Sequence, residues 1–120
     1  MNPFVQSFVA TQTERLSRLN QMLTMVQEIR TAVSKGLDQL ELSGRFNVCV
    51  NGALPYSVQI RDMEDRAIVG LEINSLEKVT VGWGGSRQPG LKYYTPGLKP
   101  TEGVELLGRR LAEYVHGPVM

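Results

Sequence analysis

LSRLNQMLTMVQEIRTAVSKGLDQL, residues 16–40, is the stretch on which the fold turns. Leu16, Leu19, Leu23, Val26, Val33, Leu37 and Leu40 recur at alternating steps of three and four, and Arg30 stands in the one slot that breaks the apolar series. A sustained a/d pattern of this kind predicts a long helix with a narrow apolar seam, suited to packing along another helix. Two starts are available: Asn2 as cap with Pro3 at the first helical position, or Thr11 with Glu14 three residues on. The first is preferred, with a kink near Thr11. Ser43-Gly44 predicts the end, since Gly44 can take the left-handed conformation that closes a helix, and Gly36 weakens the interior by about 1 kcal/mol relative to alanine.

Length then becomes an argument. From Thr11 to Leu42 the helix spans about 47 Å at 1.5 Å per residue, whereas a compact domain of this size is roughly 35 Å across. The helix must overhang its own domain, and the economical cover for its seam is the same helix from another subunit, in a dimer or trimer. The alternative is a helix laid across its own sheet, because Phe8, Met22 and Ile29 widen the stripe to one side.

After Gly44 the apolar period changes from 3.6 to 2. Phe46, Val48 and Val50 alternate with Asn47, Cys49 and Asn51 up to an Asn51-Gly52 turn. Tyr56, Val58 and Ile60 form the inner face of a second strand, Ala67, Val69, Leu71 and Ile73 that of a third, and Val79, Val81 and Trp83 that of a fourth. The acids Asp62, Glu64 and Asp65 sit in a solvated turn. A brief fifth strand at residues 91–95 is the most that the Gly/Pro-punctuated stretch 84–100 offers. A closing helix over 101–117 starts at Thr101 and carries Val104, Leu107, Leu111, Tyr114 and Val115 inward. The expected fold is α+β in a single domain, residues 1–120: a long oligomerising helix over 1–43, a four- to five-stranded antiparallel sheet with a Gly/Pro-rich loop over 44–100, and a C-terminal helix.

Composition narrows the function classes. The 120 residues are 42% hydrophobic and 21% charged with a formal net charge of +1, ordinary for a globular domain and without the basic excess that duplex DNA calls for. One cysteine, Cys49, and one histidine, His116, cannot assemble a zinc site, and no cofactor is implied. No apolar run suits a membrane span, and no leader pattern is present, so the chain reads as cytoplasmic. No triad or tuned carboxylate pair emerges, so the chain does not read as an enzyme.

Two features suggest ligands. Residues 78–101 contain no Asp or Glu but hold Lys78, Arg87, Lys92, Lys99, five glycines and the aromatics Trp83, Tyr93 and Tyr94. Glycines let backbone N–H groups approach an anion, cations neutralise it, and aromatic rings stack a base. Arg109 and Arg110 could reach the same loop, or pair with Glu105 and Glu113. In the seam, Arg30 either snorkels or pairs with a carboxylate such as Glu28 or Asp38 of a neighbouring helix. Alternatively, symmetry-related copies of Arg30, with Thr31 and Ser34, ring an anion on the oligomer axis.

A small chain with an N-terminal helix, a compact sheet and a terminal helix bearing Arg109 and Arg110 resembles the phage anti-Thoeris proteins, oligomeric sponges that sequester cyclic nucleotide immune signals. The likeness is one of architecture and length, and no motif of that family is matched residue by residue. It implies non-enzymatic capture of a phosphate-bearing nucleotide in the host cytoplasm. Trp83 or Tyr94 would stack a purine, Arg87, Lys92 and Arg109 would hold phosphates, and Arg30 would serve a second pocket. Two other classes stand beside it: an interaction or inhibitor protein acting through its helix on a protein partner, with the acid-poor stretch no more than a loop, and a single-stranded nucleic acid binder that uses the same aromatics and cations.

Overall fold

The computed structural model describes residues 2–84 and 89–117. Helix α1, Pro3–Gln39, begins as its first residues dictate: the Asn2 side chain accepts the Phe4 N–H at 2.8 Å, and Pro3 occupies a first-turn position that has no use for an amide donor. It runs as one helix through Thr11 and Gly36. Its end differs from expectation. Gly44 is not the terminator: Glu41 takes the left-handed backbone (φ 59°), and the Leu42 and Glu41 N–H groups donate to Leu37 and Asp38 carbonyls at 2.8 and 3.1 Å. This pair of bonds is a Schellman closure, and it places Leu42 and Leu37 side by side at the rim of the core.

Five strands follow in chain order and pair only with their neighbours, all antiparallel: β1 (Phe46–Asn51), β2 (Ser57–Asp62), β3 (Ala67–Ile73), β4 (Val79–Trp83) and β5 (Tyr93–Leu98). Register keeps the inner residues in rows: Val48 faces Ile60, Ile60 faces Val69, and Val69 faces Trp83. The Asn51-Gly52 pair does not form a two-residue turn. The β1–β2 connection is longer and includes a cis Leu54–Pro55 bond, with Asn51 bonded to Ala53 N and Pro55 O across it. β5 is a full strand despite Pro96 and Gly97. Proline is tolerated on an edge strand, where its missing donor costs no ladder bond, and the register shifts opposite it between Val79 and Val81.

Helix α2, Pro100–His116, is capped by Lys99 and not by Thr101: the Glu102 carboxylate accepts the Lys99 N–H at 3.1 Å, one half of a capping box. It lies on β3 and β4, and α1 lies on β1 and β2, so both helices cover one face of the sheet. Between them, Val26, Ile29, Val58, Ile60, Leu71, Val79, Val81 and Leu107 make one continuous core. Gly103 lets α2 approach closely, since a β-carbon there would collide with Val79.

The stripe by which α1 meets the sheet is rotated from the expected seam. Met22, Val26, Ile29 and Leu37 are buried, with Leu19 and Val33 beside them, while Leu16, Arg30 and Leu40 are exposed. The intramolecular packing therefore uses the side widened by Met22 and Ile29. Arg30 occupies no buried slot in the protomer, and its charge needs no partner there.

Candidate functional site

The core accounts for only the second half of α1. Residues 2–18 are all exposed, and the molecule is drawn out to 65 × 25 × 23 Å with a radius of gyration of 17.1 Å, against about 13 to 14 Å for a compact domain of this length. This overhang is not a solvated helix by composition. Residues 2–13 carry no charged side chain, and Phe4 and Phe8 are 77% and 61% exposed, with Val5, Val9 and Leu16 also open. Where the overhang leaves the sheet, it forms one wall of a cleft of about 770 Å³. Thr11, Glu14, Arg15, Arg18, Leu19 and Met22 line one side, and Leu54 with residues 74–77 line the other. The apolar part of the lining comes from Leu19 and Met22 on the helix side and from Leu54 and Leu76 on the other. Glu14 and Arg18 neutralise one another across 2.9 Å.

The basic and aromatic residues of the second half are distributed differently from the expected pocket. Trp83 pairs with Tyr93 in register and faces the helices. There the Arg110 guanidinium lies over its ring at 4.0 Å from the centroid, and the Tyr93 ring stands 6.0 Å away. Arg110 also donates to Glu113 at 2.8 Å, so Glu113 pairs with Arg110 and not with Arg109. Tyr94 pairs with Gly82 and lies on the opposite, open face, its ring resting where a Gly82 side chain would be and its hydroxyl donating to the Leu91 carbonyl at 3.3 Å. Trp83 and Tyr94 therefore cannot hold the same base within one protomer. Lys92 is exposed, its N–H donating to the Trp83 carbonyl at 2.8 Å, and Arg109 is exposed on α2, on the far side of the sheet from Tyr94. Arg87 lies outside the described residues. Of the second set, Arg30 and Thr31 are exposed and Ser34 is half-buried, with the Thr31 hydroxyl donating to the Gln27 carbonyl at 3.0 Å.

One charged residue is buried that sequence reasoning placed in water. Asp62 ends β2 on the inner side, and its carboxylate accepts the Arg66 N–H at 2.9 Å, the Glu64 N–H at 3.0 Å and the Arg66 Nε at 2.8 Å. The backbone N–H of Arg66 is the main cause that holds the Asp62 carboxyl below its ordinary range, assisted by the Arg66 guanidinium and opposed by burial. Arg45, Phe46, Glu64 and Tyr114 join this pair around a hollow of about 300 Å³, with Arg45 over the Phe46 ring at 5.4 Å. Its bonds are those of a turn clasp: every acceptor position used on Asp62 is directed at the β2–β3 connection. The available signal was Asp followed two and four residues on by backbone donors in a tight turn, an Asx pattern that sequence alone shares with many solvated turns.

Among the described residues no group of three His, Cys, Asp or Glu side chains could hold a metal ion, and no helix is long and apolar enough to cross a membrane. Cys49 is half-buried on the open face opposite Gln59. Comparison with family models, curated proteins and solved structures finds no match to the chain.

Proposed function

We propose that this chain is a non-enzymatic interaction protein that docks a protein partner on the overhanging half of α1. The observation that supports this reading is the uncharged and wholly exposed segment at residues 2–13, on which Phe4, Val5, Phe8 and Val9 are open, held away from the domain by the same helix that anchors it. Contiguous exposed apolar patches larger than a few hundred Å² mark association sites. Helix faces of this composition bind by seating anchors such as Phe4 and Phe8 in an apolar groove. A photo-cross-linking residue at position 8, introduced in cells that express the protein, is expected to yield covalent protein adducts. The same residue at position 109, also exposed but on α2, is expected to yield none. Equal labelling at both positions, or none at either, would sink the proposal.

Capture of a phosphate-bearing nucleotide, as the sponge resemblance implies, is the second reading. It is favoured by one observation: Tyr94 is 59% exposed on the open sheet face, two residues from Lys92. Stacking on Trp83 would have to displace Arg110, whereas Tyr94 has a free ring face. Trp83 is the single tryptophan, so its fluorescence reports the helix side alone. Titration with a panel of cyclic nucleotides is expected to raise the melting temperature of the protein and not of Tyr94→Ala. No shift with any nucleotide would end this reading.

A further inference from the structure

We infer that the overhang of α1 is covered by a second copy of this chain, in an antiparallel helix pair whose two-fold axis passes near Thr11. This deepens the docking reading above and rests on it, by committing to the occupant. Phe4, Phe8, Thr11 and Arg15 follow one another at steps of four, three and four, and lead directly into Leu19, Met22 and Val26. They are the same face of α1 that packs on the sheet further along, carried out past the sheet edge. The exposed anchors therefore continue an interface that is already core in the docked half.

The same chain presents both the anchors and a socket for them. Phe4 and Phe8 centre on position 6. The helix wall of the cleft runs from Thr11 to Met22 and centres near position 16. Their midpoint is position 11. Antiparallel pairing about that point sets Phe4 of one copy against Arg18 and Leu19 of the other, and Phe8 against Glu14 and Arg15. Both phenylalanines are then at the mouth of the 770 Å³ cleft, with Leu54 and Leu76 on its far wall. Glu14 and Arg18 meet them as a neutralised pair, and the guanidinium of Arg15 has a ring face to lie on. Symmetry applies each contact twice, which is the requirement of an isologous interface, and the residues paired in this way, Phe4 and Phe8 with Arg15 and Leu19, lie on one face of the same helix.

On this face Phe4 and Phe8 expose on the order of 300 Å² of apolar surface per copy, while Val5, Val9 and Leu16 lie about 100° further round the helix; the pair also covers the exposed Leu54 and Leu76 of each cleft. A parallel pair would put both domains at the same end of the helices and leave both clefts open. The chain cannot fill its own cleft with its own anchors, because α1 is one unbroken helix from Pro3 to Gln39.

Sedimentation velocity of the full chain at micromolar concentration is expected to give twice the chain mass. Phe4→Ser with Phe8→Ser is expected to sediment as a monomer with an unchanged circular dichroism spectrum, association weakening by at least about tenfold. In a Cys49→Ser background, Thr11→Cys is expected to form a disulfide between copies on mild oxidation. Leu19→Cys alone is expected not to, but does so when mixed with Phe4→Cys chains. Ready self-cross-linking of Leu19→Cys would indicate a parallel pair and overturn the inference. So would a monomer across the micromolar range. That last result, combined with photo-adducts from position 8 to a different protein, would leave the docking reading standing and remove only the second copy as its occupant.

Discussion

Glu41 shows what one residue's backbone can cost. It closes α1 at a φ of 59°, where a side chain crowds its own carbonyl, and a glycine at this position would be unstrained. Glu41→Gly is expected to stabilise the protein by about 1 kcal/mol, read as a higher urea midpoint at constant slope. Gly103 makes the opposite case. Alanine favours a helix interior by about 1 kcal/mol, yet a β-carbon at this position meets Val79 and Leu71, so Gly103→Ala is expected to destabilise by about 1 to 3 kcal/mol because overpacking exceeds propensity. Asp62 links a single side chain to pH. Its folded pKa lies below the ordinary 3.8, so its stabilising contribution is complete above that value and is lost as pH falls through the lower, folded one. Thermal melts of the protein and of Asp62→Asn should therefore differ most near neutrality and converge as pH falls through the lowered folded pKa of Asp62, with the variant the less stable at pH 7.

For an element, the question is which way it faces. Ile29 and Arg30 are adjacent on α1, one 7% exposed and the other open to solvent. Ile29→Ala is expected to cost about 2 to 4 kcal/mol in chemical denaturation, and Arg30→Ala less than about 0.5 kcal/mol. Comparable costs at the two sites would restore the seam in which Arg30 was an internal position. The presence and length of this helix, and the alternation of the first four strands, were legible because apolar spacing records burial directly. Its rotation was not decided, because Leu16, Leu23 and Leu40 on one side and Met22 and Ile29 on the other both keep helical spacing with Val26 and Leu37, and only the shape of the sheet chooses between the two sides. The fifth strand was hidden by Pro96 and Gly97, which read as loop until edge position is known. The site suffered most: alternation assigned Trp83 to the inner face, but the β4–β5 register that sends Tyr94 to the other face has no trace in composition.

Considered whole, the molecule is a two-layer domain with a rigid extension that contributes nothing to the core. Removal of residues 2–15 is expected to leave the melting transition of the dilute protein within about 1 kcal/mol of the full chain, while bringing the radius of gyration down toward the compact value in small-angle scattering. A large loss of stability under those conditions would show that the overhang supports the fold itself. The sheet topology has a consequence in time. Every strand pairs with the strand before it, so the meander can assemble in the order in which the ribosome delivers it, with short loops to close at each step. The cover for β3 and β4 comes from the last seventeen residues of regular structure, in α2. Until they emerge, Leu71, Val79 and Val81 form a bare apolar ledge on an otherwise finished sheet, and the interval between synthesis of β5 and docking of α2 is when the nascent chain is most exposed to misassociation.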